Sequence, residues 1–273
     1  MGADIKLILT DIDGTILPYG QPTVSKAVCD AFHAALDAGI TVGPASGRFY
    51  DWIPGFFSGD EACCATALAA NGMQAYYKGE KVLEKDIDPE ALRTAAAIVR
   101  ETPAAGLLYF EGSTPYLTEG SRDDLAVAFP RYAVECLDAD GIPDVLIPKA
   151  NVFVCGSLED TRALVARLNA EVDGLDFDVP QPMFSNVVPS GWNKGAAFAW
   201  LCDYLGVSRS EAVVFGDAGN DVPLFEAAEH SVAVAGASDE ARAAARWHIG
   251  RVEDDAVATA IAELAAGRWP FTA

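Results

Sequence analysis

Short apolar runs that end abruptly in polar loops recur along this chain. Ile5-Lys6-Leu7-Ile8-Leu9 runs into Asp11-Ile12-Asp13-Gly14-Thr15, with Pro18, Gly20 and Pro22 just beyond. Ile40-Thr41-Val42 runs into Pro44-Ala45-Ser46-Gly47-Arg48, and Ala212-Val213-Val214-Phe215 into Gly216-Asp217-Ala218-Gly219-Asn220-Asp221. Such runs bounded by turn residues predict buried strands. Between the first two, residues 23–39 set Val24, Ala27, Val28, Ala31, Phe32, Ala35 and Leu36 at helical spacing. Thr23 is the expected cap and Gly39 the expected left-handed end of that helix. Residues 62–70 predict another strand, ending at Asn71-Gly72, and residues 74–77 with 81–83 a hairpin. Strand alternating with helix predicts an α/β fold with a Rossmann-like parallel-sheet core.

The pattern changes near Lys85. From there to about Val188 it predicts a helix (89–101), strands (107–110 and 114–118) and a further helix after Arg122. A strand (151–155), a helix (158–172) and two strands (175–179 and 184–188) follow. None of the polar clusters falls inside this stretch. The expected organisation is a discontinuous core, 1–84 plus 189–273, interrupted by an α/β cap at 85–188.

The polar clusters carry the chemistry. In an open α/β sheet the carboxyl ends of neighbouring strands share one crevice, so clusters far apart in sequence can converge there. Asp11 and Asp13 together at a strand end are costly, because like charges resist joint ionisation. A divalent cation, or a division of labour between nucleophile and acid, would justify the pair. Lys194, in Gly191-Trp192-Asn193-Lys194-Gly195, falls near a helix start, where a cation is misplaced unless it faces an anion. Plainer readings exist: Ser46 and Asn71-Gly72 as turn residues, Asp217 and Asp221 as helix caps, and Arg48 as a surface ion pair.

Composition narrows the function. The 273 residues are 51% hydrophobic, ample for a packed core, and the formal charge is −21. A surface that acidic repels nucleic acids and anionic membranes, so neither is an expected partner. A phosphate site would need its own positive charge, which Lys194, Arg48 and a metal would supply. Cys29, Cys63, Cys64, Cys136, Cys155 and Cys202 lack CxxC spacing and read as buried hydrophobes in a reducing compartment. With only His33, His230 and His248 beside them, no zinc motif is expected. No signal-peptide pattern is present and no apolar run approaches the ~20 residues of a membrane span. The expected location is cytoplasmic.

In order and spacing, DxDGT at Asp11–Thr15, Ser46, Lys194 and GDxxND at Gly216–Asp221 resemble the haloacid dehalogenase (HAD) superfamily of phosphohydrolases. The resemblance extends over essentially the whole chain and is closest to the Cof-type branch with a type IIB cap. It implies a Mg2+-dependent phosphomonoesterase acting on small phosphorylated metabolites, sugar phosphates first. Asp11 would form an aspartyl-phosphate and Asp13 would be general acid and base, with Lys194 balancing charge. The implied metal ligands are the Asp11 carboxylate, the Asp13 backbone carbonyl and Asp217, with Asp221 in the second shell or orienting Lys194. Ser46, Gly47, Arg48 and Asn220 would contact phosphate or substrate. A phosphomutase or phosphotransferase of the phosphomannomutase type shares the first half of this chemistry. Substrate selection would fall to cap residues such as Tyr109, Phe110, Tyr116, Arg122 and Arg131.

Overall fold

A computed structural model describes residues 4–272, which form two compact units: 4–83 with 193–272, and 84–192. The first unit is built on a parallel sheet of β1 (Leu7–Thr10), β2 (Thr41–Pro44), β12 (Ala212–Gly216), β13 (His230–Ala233) and β14 (Trp247–His248), ordered β14-β13-β12-β1-β2. All four β1 side chains are buried, as a strand covered on both faces requires. Leu7, Ile8 and Leu9 are fully enclosed, each worth about 1.5–3 kcal/mol of burial. β1 pairs with β12 on one side and β2 on the other, in register from Leu7 to Thr10. Asp11 and Ala45 therefore leave the sheet level with Gly216, and Asp217 follows one residue beyond.

A second sheet in this unit joins β3 (Ala67–Ala69), β4 (Gln74–Tyr77) and β5 (Glu80–Glu84). The Ser46 N–H donates to the Leu68 carbonyl at 2.8 Å, tying the end of β2 to β3. Helices α1 (Lys26–Asp37) and α10 (Ala256–Ala265) pack on each other, as do α7 (Lys194–Leu205) and α8 (Val222–Ala227). A short α2 (Ile53–Phe56) and α9 (Asp239–Ala244) complete the unit's helices among the described residues.

Local chemistry moves two expected boundaries and keeps a third. The first helix starts at Lys26 with Ser25, not Thr23, as its cap. The Val24 N–H is drawn to the Phe56 carbonyl at 2.9 Å, which holds residue 24 outside the helix. Gly39 does take a positive φ of 80° just beyond the helix end. The strand expected over 62–70 shrinks to β3, because Glu61–Cys64 forms a 3₁₀ turn capped by Asp60. An Asp side chain offering itself to nearby backbone N–H groups competes with a sheet ladder.

The second unit is a six-stranded sheet ordered β10-β11-β9-β6-β7-β8. Its strands are β6 (Ala105–Glu111), β7 (Thr114–Glu119), β8 (Leu137–Asp138), β9 (Ala150–Val154), β10 (Leu175–Phe177) and β11 (Phe184–Pro189). All its pairings are antiparallel except β7 with β8. Helices α3 (Pro89–Arg100) and α6 (Leu158–Glu171) pack against it. The helix expected after Arg122 is two, α4 (Arg122–Ala128) and α5 (Pro130–Glu135). Pro130 forces the break, since the residue before a proline is pushed out of helical geometry and Phe129 sits at φ −150°, ψ 81°.

Candidate active site

The ends of β1 and β12 and the start of α7 put three carboxylates and one lysine together. Asp11, Asp217 and Asp221 are all buried and offer carboxylate oxygens within 4.8 Å of one another. Lys194, the first residue of α7, is 1% exposed. Its Nζ lies 2.6 Å from Asp11 Oδ1 and 2.7 Å from Asp221 Oδ1. Asn193 caps this helix by accepting from the Ala196 N–H, which fixes where Lys194 emerges. The cation at the helix start thus faces two anions, which offsets its unfavourable place on the helix dipole.

Each carboxylate is held differently. Asp221 is fully committed: Oδ1 accepts from Lys194 and Oδ2 from the backbone N–H groups of Asp217 and Ala218. Asp217 Oδ1 accepts from the Thr15 hydroxyl at 2.9 Å, and Oδ2 faces the Tyr19 hydroxyl at 3.4 Å. Asp11 takes Lys194 on Oδ1, and its Oδ2 has no hydrogen-bond donor among the described residues. The close approach of Asp217 depends on Gly14, whose φ is 82°. A Cβ there would stand 2.4 Å from Asp217 Oδ2.

Burial dominates the electrostatics. It pushes the Asp11 carboxyl well above its usual range; Lys194 opposes this, while Asp221, Asp217 and Asp13 add to it. Burial, then Asp221, lifts Asp217 to about 7, with Thr15 and Lys194 pulling the other way. Burial also works against the Lys194 charge, but Asp11 and Asp221 outweigh it and hold the ammonium above its ordinary value. A second positive charge in the cluster would relieve the remaining repulsion between carboxylates.

Asp13 stands slightly apart. Its two oxygens receive Nε and Nη2 of Arg48, each at 3.0 Å, in a bidentate pair. The geometry gives Arg48 a defined carboxylate partner rather than an open face. Ser46 is buried, and its hydroxyl oxygen accepts from the Arg48 N–H at 3.2 Å, the turn arrangement that was its plainer reading. A Cβ on Gly47 would lie 3.2 Å from Asn71 Oδ1, and that same oxygen accepts from Asn220 Nδ2 at 3.1 Å. Asn71 is itself left-handed (φ 58°) and buried, so the Asn-Gly turn also builds a wall. Thr15 and Tyr19 had not been singled out. Their partner is about 200 positions away, and only the Thr of DxDGT hinted at a contact.

Residues considered for selectivity in the second unit are mostly structural. Tyr109 stacks on Tyr116 at 5.2 Å, and Phe110 is fully buried. Arg122 ties down the carbonyls of Ala133 and Cys136, and Arg131 pairs with Glu135 one helical turn on. The pattern gave no sign of Lys149, a buried lysine whose Nζ lies 3.1 Å from the Tyr132 hydroxyl and over the Phe110 ring.

A family described as haloacid dehalogenase-like hydrolase matches residues 8–261, taking in every one of these site residues. The chain belongs to that family. Among characterised members, HMP-PP phosphatase of Klebsiella pneumoniae is 30% identical over 79% of each chain. The 5-amino-6-(5-phospho-D-ribitylamino)uracil phosphatase YbjI of Escherichia coli is 25% identical over 98% of each. The fold of the HAD subclass IIB sugar phosphatase BT4131 superposes with a TM-score of 0.80 at 18% identity, covering 95% of this chain and 98% of that one. This HAD-family enzyme thus shares a capped α/β fold with phosphatases.

Proposed function

We propose that this HAD-family chain hydrolyses phosphomonoesters of small phosphorylated metabolites, with Asp11 as the nucleophile. One observation carries the reading. Asp11 is buried at the end of β1, which lies between β12 and β2, with one oxygen held by Lys194 and the other without a donor among the described residues, as in-line attack on phosphorus requires. Lys194 holds the ionised form that attacks, and Asp221 holds Lys194. Oδ2 of Asp11 forms a bond to phosphorus as the ester P–O bond breaks. Asp13 delivers its proton to the departing alkoxide and then takes one from the attacking water, releasing phosphate and Asp11. Arg48 positions Asp13: taking up a proton opens one of the two bonds between them, and delivering it restores that bond. Ser46 and Asn220 offer neutral hydrogen bonds to phosphate oxygens, and Gly47 leaves room beside them.

The donor set fits a hard divalent cation, being all oxygen, buried and in need of positive charge. Asp11, the Asp13 carbonyl and Asp217 would hold Mg2+, while Asp221 has both oxygens engaged and remains a second-shell partner. When bound, Mg2+ would offset charge on the phosphoryl oxygens. The relatives' names support small phosphorylated metabolites as substrates, and a phospho-ribityl group in one of them favours sugar and polyol phosphates. We assign residues 85–188 the role of a substrate-selecting cap on the core of 1–84 and 189–273. Six free cysteines accord with a reducing cytoplasm, and no helix among the described residues is long and apolar enough to cross a membrane.

The test is phosphate release from a panel of phosphorylated sugars, polyols and cofactors, with Mg2+ and with EDTA. Metal-dependent release is the expected result. Transfer of the phosphoryl group to a sugar hydroxyl without free phosphate would replace hydrolysis by the mutase reading.

A further inference from the structure

Outside the carboxylate site, three metal-ligating side chains meet between α1 and the 3₁₀ turn that follows α2. His33 lies on α1. Asp60 caps the turn and Cys63 lies within it, three residues on. His33 Nε2 is 2.7 Å from Asp60 Oδ2 and 4.0 Å from Cys63 Sγ. One donor atom from each of these three residues lies within 4.8 Å of the others.

We infer that His33, Asp60 and Cys63 supply three ligands of a tetrahedral site for a thiophilic divalent cation, Zn2+ above all, with water in the fourth position, that pins α1 to this turn. Ligand atoms on a tetrahedral zinc stand roughly 3.3–3.8 Å apart, given bonds of ~2.0 Å to nitrogen or oxygen and ~2.3 Å to sulfur. The observed separations bracket that range. A catalytic triad is a poor alternative. There the acid and the nucleophile use different ring nitrogens, whereas here Asp60 and Cys63 converge on the same Nε2. Asp60 can serve both purposes, because Oδ1 caps the turn through the Ala62 N–H and Oδ2 points at His33. The adjacent cysteines divide the work. The Cys63 sulfur is fully buried against His33, while the Cys64 thiol donates to the Asp60 and Glu61 carbonyls. His33 and Asp60 keep 45% and 33% of their side chains exposed, which leaves an entry path. Burial pushes the Cys63 thiol up, so loading releases a proton. Spacing alone hid this site, since its two halves are 27 residues apart and neither forms a CxxC.

The experiment is Co2+ and Zn2+ titration of the reduced, metal-stripped full chain, with excess Mg2+ present to fill the carboxylate site. Expected is a single Co2+ per chain with a thiolate-to-cobalt charge-transfer band. That band is lost in Cys63→Ser, and affinity falls at least about tenfold in His33→Ala, a half-exposed position that keeps the test open if the buried variant misfolds. Zn2+ should raise the Tm of the wild type and protect Cys63 from alkylation. Absence of the band, its persistence in both variants, or equal alkylation with and without Zn2+ would overturn the assignment.

Discussion

Lys194 is the residue on which the catalytic cluster balances. Removing its charge leaves Asp11 and Asp221 buried without their counter-ion, and breaking one partner of a buried pair costs about 3–5 kcal/mol. Lys194→Met is therefore expected to lower stability by that order at neutral pH, read from denaturant unfolding, and to abolish turnover. Thr15 donates to Asp217, a ligand of the proposed metal site. Thr15→Val leaves Oδ1 of Asp217 without its donor, and loss of such an outer-shell partner weakens metal binding about 10–100-fold. The Mg2+ concentration for half-maximal activity should rise by that factor in Thr15→Val and stay near wild type in Thr15→Ser. Equal effects of the two substitutions would remove Thr15 from the account.

Strand ends deliver these side chains, and the strands were legible because uninterrupted apolar runs have few alternatives to burial. Leu7–Thr10 and Ala212–Gly216 emerge as such runs, and the carboxylates that follow them meet because the two strands pair in parallel register. Less legible were features that depend on a distant partner. Ser25 replaces Thr23 as a cap because the Phe56 carbonyl claims the N–H of Val24, and the Glu61–Cys64 turn replaces half a strand because Asp60 caps it. Arg48 was open between substrate contact and ion pair, and only the fold brings it to Asp13. At the end of β12, a Cβ on Gly216 would sit 2.6 Å from Asp221 Cγ. Gly216→Ala should displace Asp221 from Lys194, costing about 1–3 kcal/mol as overpacking does and lowering kcat more than KM. At the other end of the sheet, Lys6 of the run leading into β1 pairs with Glu211, just before β12. The Lys6 contact, aided by the Ser208 N–H and hydroxyl, holds Glu211 at about 2. Because this carboxyl is depressed in the fold, its stabilising share is present above the unfolded value of ~4.3 and is lost as pH falls toward 2. Lys6→Ala should move the Glu211 titration upward in an NMR pH series; an unmoved titration would sever the link.

For the whole molecule, an acidic chain of net charge −21 has to attract an anionic substrate against its own field. Under the proposed function, Lys194 and a cation held by the carboxylate cluster would localise positive charge where long-range attraction fails. Such an arrangement favours small phosphoesters that reach the site by diffusion over polyanions held along a surface. In the proposed mechanism Asp11 is phosphorylated and released in every cycle. Rapid acid quench during turnover of a substrate carrying labelled phosphate, followed by peptide mapping, tests this directly. Label on the peptide containing Asp11, absent in Asp11→Asn together with all but a residual thousandth or so of activity, is the predicted result. An Asp11→Asn enzyme that still releases phosphate at the wild-type rate would contradict it.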